Sequence, residues 1–367
     1  MQKCPFDVKA AFQKMFKDTG ISVFDIIKYQ KYVTKRAPVF GKQVTPSADL
    51  KTYATLACCF MTYRFANVMM KPISFVRLIQ AAMIDKYDFK SNYLSMTTKR
   101  SIKDYLNRVK HVGYSVDNMV MCNLSQSDKK LYQPFFFVFR NPDTGSLIIS
   151  LRGTTTMMDT MTDLDARTQQ VSHNGTIHYF HAGFYEMACI VLQKLKQSDL
   201  DLNNATFTGH SMGAAVAAIC VLLLKHQNIQ TKAVVFSPPP CMDERSCISL
   251  EQNVTSYVLE RDSVPEMSVH AIRTLFTRIQ HLKLQNAKPH AEQQQLIANQ
   301  PFEPENTKQL SEQTTLEDDL FVPGRIVISY IGRMHEIERH DLGQFTLNFQ
   351  TIVDHISGKY FMDECCE

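Results

Sequence analysis

A serine flanked by glycines lies in the stretch of this chain that is most informative about chemistry, Gly209-His210-Ser211-Met212-Gly213. The residues before it, 204–208, alternate in polarity and include β-branched side chains, which is typical of a short strand. The residues after it, 214–224, are nearly all apolar and favour a buried helix. A strand, a tight Gly-x-Ser-x-Gly turn and a helix together form a nucleophile elbow. The pattern therefore predicts that Ser211 is a nucleophile.

The turn also predicts where an oxyanion would bind. Glycine is needed at positions 209 and 213 because a Cβ at either position would collide with the adjacent strand or helix. The main-chain N–H groups that follow Ser211 lie at a helix N-terminus, which favours negative charge. The alternative interpretation is a glycine-rich loop that merely enters a core helix, and the flanking strand and helix count against it.

A serine nucleophile also requires a general base and a group that orients the base. In hydrolases with this elbow, an acid and then a histidine follow the serine along the chain. Asp262 comes just after a predicted strand at 254–259, and open α/β sheets place their sites at that end of the strands. Another strand is predicted at 232–237, and the last one at 325–331. His355 follows this last strand, but so do His335 and His340.

Several blocks of sequence around the elbow resemble the class 3 lipase family. These blocks are Leu151-Arg152-Gly153-Thr154, Thr162-Asp163-Leu164, His181-Ala182-Gly183-Phe184 and Arg261-Asp262-Ser263-Val264-Pro265. Within the family, further blocks are similar to the sn-1-specific diacylglycerol lipases, namely Phe236-Ser237-Pro238-Pro239, Pro323-Gly324-Arg325 and Asp354-His355. The resemblance covers roughly residues 126 to 367. It implies an α/β-hydrolase fold, with a mostly parallel sheet and helices on both of its faces.

The same resemblance implies a role for each of six residues. They are Ser211 as nucleophile, Asp262 as orienting acid, His355 as general base, Thr154 and Met212 as main-chain donors of the oxyanion hole, and Asp163 as the partner that orients the Thr154 hydroxyl. No metal and no cofactor are expected for this chemistry. Residues 155–162 occupy the position of the family's lid and contain three methionines, although one amphipathic helical turn covering the core would have the same composition.

The implied reaction is hydrolysis of an acyl ester of a glycerolipid such as diacylglycerol, through an acyl-enzyme on Ser211. A phospholipase A1 or a broad carboxylesterase would use the same triad, because the acyl pocket and the lid decide the substrate. From a different class, a catalytically inactive hydrolase fold that serves as a binding module is also possible. That alternative requires a missing catalytic element, and every element has a candidate in this sequence.

Composition indicates an ordinary globular protein with a large core. Of 367 residues, 44% are hydrophobic and 21% are charged, and the net charge of +4 favours anionic membrane surfaces without reaching the charge of a nucleic-acid-binding protein. The N-terminus has no apolar stretch like that of a signal peptide, and no apolar run is long enough to span a membrane. Ten cysteines without a Cys-x-x-Cys pair suggest reduced thiols in the cytoplasm. We therefore expect a cytoplasmic protein, peripheral at membranes or lipid droplets, with Cys365 and Cys366 either acylated or unmodified.

The chain divides into two parts by sequence pattern. Residues 1–125 form a predicted helical N-terminal region, with helical spacing at 8–17, 47–70 and 75–88. Residues 126–367 form the predicted catalytic domain. Within it, residues 283–319 are polar and poor in aromatic side chains, which predicts a flexible insertion. The oligomeric state is left open.

Overall fold

A nine-stranded mixed sheet forms the centre of the protein in the computed structural model. The structure describes residues 41–58, 105–124, 134–153, 167–259, 262–285, 319–330, 333–342 and 354–355, together with residues 17, 20, 21, 25, 28, 29 and 132.

The strands are β1 (Lys42–Gln43), β2 (Met119–Leu124), β3 (Phe135–Arg140), β4 (Leu147–Leu151), β5 (Thr168–His173), β6 (Thr176–His181), β7 (Ala205–His210), β8 (Thr231–Phe236), β9 (Val254–Leu259), β10 (Arg325–Tyr330) and β11 (Arg333–Ile337). The main α-helices are α1 (Leu50–Cys58), α2 (Ala182–Lys196), α3 (Met212–Lys225), α4 (Glu244–Ser249) and α5 (Val269–Gln285). Short 3₁₀ turns occur at Lys110–Val112, Val116–Asn118, Val264–Glu266 and Arg339–Asp341.

The strand order of the large sheet is β1-β11-β10-β9-β8-β7-β4-β3-β2, and β5 and β6 form a separate antiparallel pair. The five central strands, β10, β9, β8, β7 and β4, are parallel, whereas the strands at both edges are antiparallel. Helices α2, α3 and α4 lie between consecutive parallel strands, as crossover connections require. The four strands predicted around and after the elbow correspond to β7, β8, β9 and β10. The predicted α/β-hydrolase fold is confirmed.

Both faces of the sheet are covered by helices. Along β3, Phe136 and Val138 face a core that includes α2 and α3, whereas Phe135, Phe137 and Phe139 face a core that includes α1. Burial on both faces explains why this strand is a continuous apolar run without polar alternation.

Helix α1 comes from the N-terminal part of the chain but packs directly on the sheet. The Ser150 hydroxyl of β4 donates a hydrogen bond of 2.7 Å to the Leu56 carbonyl, and the Thr208 hydroxyl of β7 lies 3.3 Å from the Tyr53 carbonyl. This helix lies inside the segment 47–70 that was predicted to be helical. The predicted helices at 75–88 and, apart from Lys17, at 8–17 lie outside the described residues.

Two further expectations concern the rest of the chain. Helix α5 continues to Gln285, so it includes the first residues of the predicted flexible insertion. Residues 286–318 of that insertion lie outside the described residues. In the part of the chain that the structure describes, no helix has the length and apolar character that crossing a membrane requires.

Three histidines join the β5–β6 pair to the C-terminal end of α3. The rings of His173 and His226 stack with centroids 4.2 Å apart, and the ring of His178 lies 4.9 Å from that of His226. The His178 ring also hydrogen bonds to the Ser246 hydroxyl at 2.8 Å. Burial, followed by the neighbouring His173, His178 and Lys225, lowers the pKa of His226 to about 4. His226 is therefore neutral at physiological pH.

This cluster is expected to lose stability in acid. Because the pKa of His226 falls from 6.5 to about 4 on folding, the unfolded chain binds a proton more readily, and stability decreases as the pH drops from about 6.5 towards about 4. His226→Phe keeps a ring but does not titrate, so its melting temperature should fall less over this range than that of the wild type. Melting curves from pH 7.5 to 4 measure the difference. His111→Phe, at an exposed histidine, should behave like the wild type, and parallel curves for His226→Phe and wild type would contradict the prediction.

Candidate active site

Ser211 occupies a strained main-chain conformation between β7 and α3. Its φ of 56° and ψ of −127° lie where non-glycine residues are rarely found. The Ser211 N–H donates to the Phe236 carbonyl at 2.9 Å, and the Ser211 carbonyl accepts from the N–H groups of Ala214 and Ala215 at 2.9 and 3.2 Å. The strained residue is therefore held by the adjacent strand β8 on one side and by the first turn of α3 on the other.

Main chain packs against main chain around this turn. A Cβ on Gly209 would lie 2.5 Å from the carbonyl carbon and oxygen of Gly213, and a Cβ on Gly213 would overlap the Leu151 carbonyl oxygen. A Cβ on Gly153 would lie 2.6 Å from the His210 carbonyl oxygen. All three positions accept only glycine without a shift of the backbone. The end of β4 is therefore packed closely against the elbow.

The structure brings Ser211, His355 and Asp262 together from three distant parts of the chain. Nε2 of His355 lies 2.9 Å from Oγ of Ser211, and Nδ1 of His355 lies 2.8 and 3.0 Å from the two carboxylate oxygens of Asp262. With its proton on Nδ1, the imidazole donates to the carboxylate and accepts from the serine hydroxyl through Nε2. This is the hydrogen-bonding pattern of a Ser-His-Asp triad.

Asp262 is fully buried, and its carboxylate has a second partner. The Val264 N–H donates to Oδ1 at 2.9 Å, at the start of the 3₁₀ turn Val264–Glu266. The carboxylate thus bonds both to His355 and to the main chain of the following turn. A buried carboxylate that accepts several hydrogen bonds avoids the penalty of an unpaired buried charge.

The other two histidines that follow the last predicted strand have different partners. Nε2 of His340 lies 2.7 Å from Oε1 of Glu244 at an exposed position, and Nδ1 of His335 lies 3.3 Å from the Gly41 carbonyl oxygen. Neither contact involves Ser211. Asp354, beside His355, is buried, with 3% of its surface exposed.

His210 of the elbow lies against His355. Its ring is 3% exposed, and its centroid is 4.7 Å from that of His355. Burial, followed by the proximity of His355, holds the pKa of His210 well below its usual range. His210 is therefore neutral. The sequence contained no signal that the ring of His210 contacts the ring of His355.

The oxyanion hole is described only in part. Met212 is the first residue of α3 and is 2% exposed, and a first-turn N–H has no partner within its own helix. Its main-chain N–H directly follows Ser211, and its role as a donor to an oxyanion stays a prediction. Thr154, Asp163 and the predicted lid at 155–162 lie outside the described residues, and their roles stay predictions.

Two residues of the family-like blocks have identifiable contacts. The guanidinium of buried Arg152 lies 4.7 Å from the centre of the Phe135 ring. His181 precedes α2, where its ring accepts from the Phe184 N–H at 3.4 Å. Cys241 and Cys247 are free buried thiols.

The fold and the triad geometry together define an α/β-hydrolase with the site of a serine hydrolase. Residues 148–271 match the family model described as "Lipase (class 3)", so this part of the chain is similar to the class 3 lipases. The match includes the elbow and Asp262 but ends before His355.

Two curated relatives are similar to less than half of the chain. Human diacylglycerol lipase-alpha is 28% identical over 176 residues, which cover 43% of this chain and 17% of that protein. Mouse diacylglycerol lipase-beta is 27% identical over 162 residues, which cover 41% of this chain and 24% of that protein. The matched segment thus spans less than a quarter of either relative. Among solved structures, the Lip2 lipase from Yarrowia lipolytica superposes with a TM-score of 0.48 at 10% identity, covering 88% of this chain and 97% of that one.

Gly209→Ala should disrupt the elbow. The added Cβ would meet main-chain atoms of Gly213 that cannot move without shifting α3, so we expect a loss of about 3 kcal/mol in the free energy of unfolding, at the upper end for overpacked sites. Urea denaturation followed by circular dichroism measures it. The matched control is Gly175→Ala in the β5–β6 turn, where φ is 79° and no atom lies within 4 Å of the added Cβ. The control should lose only about 1–2 kcal/mol from backbone strain, and equal losses in both variants would refute the packing argument.

Proposed function

We propose that this protein is a lipid ester hydrolase that cleaves an acyl ester of a glycerolipid, with diacylglycerol as the favoured substrate, through an acyl-enzyme on Ser211. The observation that carries the proposal is the continuous hydrogen-bonded chain from Ser211 through His355 to buried Asp262. An inactive binding module would have no requirement to keep this chain intact, nor the strained conformation of Ser211.

The proposed mechanism follows from the contacts of the three side chains. Nε2 of His355 takes the Ser211 hydroxyl proton as the serine oxygen attacks the ester carbonyl carbon, and the carbonyl oxygen becomes an oxyanion. The Met212 N–H, and by family resemblance that of Thr154, donates to this oxyanion. The protonated His355 then gives its proton to the leaving alcohol, and the C–O bond of the ester breaks. Asp262 stabilises the imidazolium and keeps its ring oriented.

Water completes the proposed cycle. His355 takes a proton from a water molecule, the resulting hydroxide adds to the acyl carbon, and a second tetrahedral oxyanion forms in the same place. Collapse of this intermediate returns the proton to the Ser211 oxygen and releases the fatty acid. The products are a free fatty acid and a glycerolipid with one acyl group fewer.

The choice of a glycerolipid is supported by the family and by the names of the relatives, both of which are diacylglycerol lipases. A phospholipase A1 or a broad carboxylesterase remains the alternative, because the same triad serves all of these reactions. We further propose that the protein is cytoplasmic and associates peripherally with membranes or lipid droplets. Its net charge of +4 and the 42% exposed side chain of Met267, five residues after Asp262, support contact with an anionic lipid surface.

A fluorophosphonate probe tests the proposed nucleophile and its base. The wild type should be labelled, whereas Ser211→Ala should not, because the probe reacts with an activated serine. Asp262→Asn and His355→Ala should each lower turnover by about 10⁴-fold, since the residual rate comes only from oxyanion stabilisation and binding. Circular dichroism checks that each variant is folded.

The matched control for the base is His340→Ala, which removes an exposed histidine that pairs with Glu244. It should stay within a few-fold of wild-type turnover. An active His355→Ala alongside an inactive His340→Ala would overturn the assignment of the base. A wild type that the probe does not label would overturn the hydrolase itself.

Hydrolysis of a diacylglycerol, a phosphatidylcholine and a short-chain nitrophenyl ester tests the substrate. We expect the diacylglycerol to have the highest kcat/KM, and we expect activity to rise once the lipid forms an interface, because the acyl chains supply the binding free energy. The released fatty acid is measured below and above the concentration at which the lipid aggregates. A preference for the soluble short ester, with no rise at the interface, would contradict the lipase assignment while leaving the serine mechanism intact.

A further inference from the structure

We propose that His210 is a positioning residue that holds His355 in line between Ser211 and Asp262. This inference rests on the proposed function, in which His355 is the general base. His210 makes no contact with the attacking oxygen in the proposed mechanism, so its effect on the reaction is exerted through His355.

His210 packs against His355. The ring centroids are 4.7 Å apart with an angle of 36° between the planes. His210 thus contacts the imidazole of the base directly. No other position directly beside the nucleophile in sequence offers a ring, because Ser211 is followed by Met212 and Gly213.

This contact restrains motions that the triad hydrogen bonds do not. Asp262 and Ser211 bind the two ring nitrogens of His355, and imidazole nitrogens donate and accept in the plane of the ring. In-plane bonds leave the ring free to tilt about the line through its nitrogens and to move perpendicular to its plane. A neighbour packed against the ring limits both motions. Alignment matters because an error of about 1 Å in such a site lowers the rate about 100-fold.

The support for His210 is rigid. His210 is the last residue of the central strand β7, pairs with Phe236 of β8 and is 3% exposed. Its position is therefore set by the middle of the sheet. The base, by contrast, is separated from Ser211 by 144 residues of sequence. We infer that the contact fixes the position of His355 relative to the sheet.

A neutral histidine suits this place better than a cation. During turnover His355 becomes an imidazolium, and a second positive charge 4.7 Å away would oppose that change. Burial keeps His210 neutral, so its ring can instead lie beside the imidazolium as an aromatic neighbour. Since Nε2 of His355 is directed at Ser211, His210 is not an alternative proton acceptor for the serine.

Three substitutions test this contact. His210→Phe keeps an aromatic ring and loses the ring nitrogens, His210→Asn keeps a short polar side chain and loses the ring, and His210→Ala loses both. For the first two we expect kcat to fall about 10- to 100-fold with KM unchanged, because substrate binding does not involve this side chain. His210→Ala should fall further. All rates are divided by the folded fraction, which is measured by circular dichroism.

A spectroscopic readout reports the base independently of turnover. The Nδ1 proton that His355 shares with Asp262 should give a low-field proton resonance in the wild type and lose it in His355→Ala. In His210→Phe and His210→Ala this resonance should broaden or shift, because the ring is less firmly held. If the wild type proved inactive but kept the resonance, and His210→Phe changed it, the hydrolase proposal would fail while the positioning role survived.

The matched control is His178→Phe. His178 is also buried and also packs against another histidine, but it lies at the opposite end of α3 from Ser211. That helix has 14 residues and is about 21 Å long. His178→Phe should lower the melting temperature without changing kcat or the resonance. Should the His210 variants behave like this control, with lower melting temperatures but wild-type kcat and resonance, the residue is merely structural and the proposal is wrong.

Discussion

Direct packing of main chain against main chain at Ser211 is the constraint on which the rest of the site depends. Gly209 and Gly213 have no Cβ, so the end of β7 and the start of α3 approach more closely than any other residue type would permit. This close approach places Ser211 in a conformation with positive φ. The hydrogen bonds to Phe236 and to the first turn of α3 then keep the strain in place.

A strained turn of this kind requires a rigid scaffold, and the central sheet provides it. Strand β7 lies between β4 and β8, and the helices on both faces bury it completely. One of these helices, α1, comes from the N-terminal part of the chain and is bonded to the sheet through Ser150 and Thr208. The N-terminal region therefore contributes to the core beneath the elbow.

The general base, His355, comes from a part of the sequence that is distant from the elbow. His355 is 93 residues from Asp262 and 144 residues from Ser211, yet its imidazole bonds to both. Burial of Asp262 makes its charge effective, since a buried carboxylate interacts strongly with a neighbouring imidazole. The contact with His210 adds a restraint from the sheet itself. The geometry of the triad thus depends on the rigid end of β7, which precedes Ser211, and on two separate segments of the chain that carry Asp262 and His355.

The sequence by itself predicted the elements that are buried on all sides. Strands β7 to β10 are rich in β-branched and aromatic residues and helix α3 is nearly all apolar, so their positions followed from local pattern, and the elbow glycines and Asp262 followed from spacing. Strand pairing at the edges, the docking of α1 and the stacking of His173 on His226 did not follow, because each depends on residues far apart in the chain. Chain order left three histidines that could serve as the base, and only the tertiary structure placed one of them, His355, beside Ser211. The physical reason is that burial determines which positions within a segment are apolar, whereas the contacts between segments are set by the packing of the whole sheet.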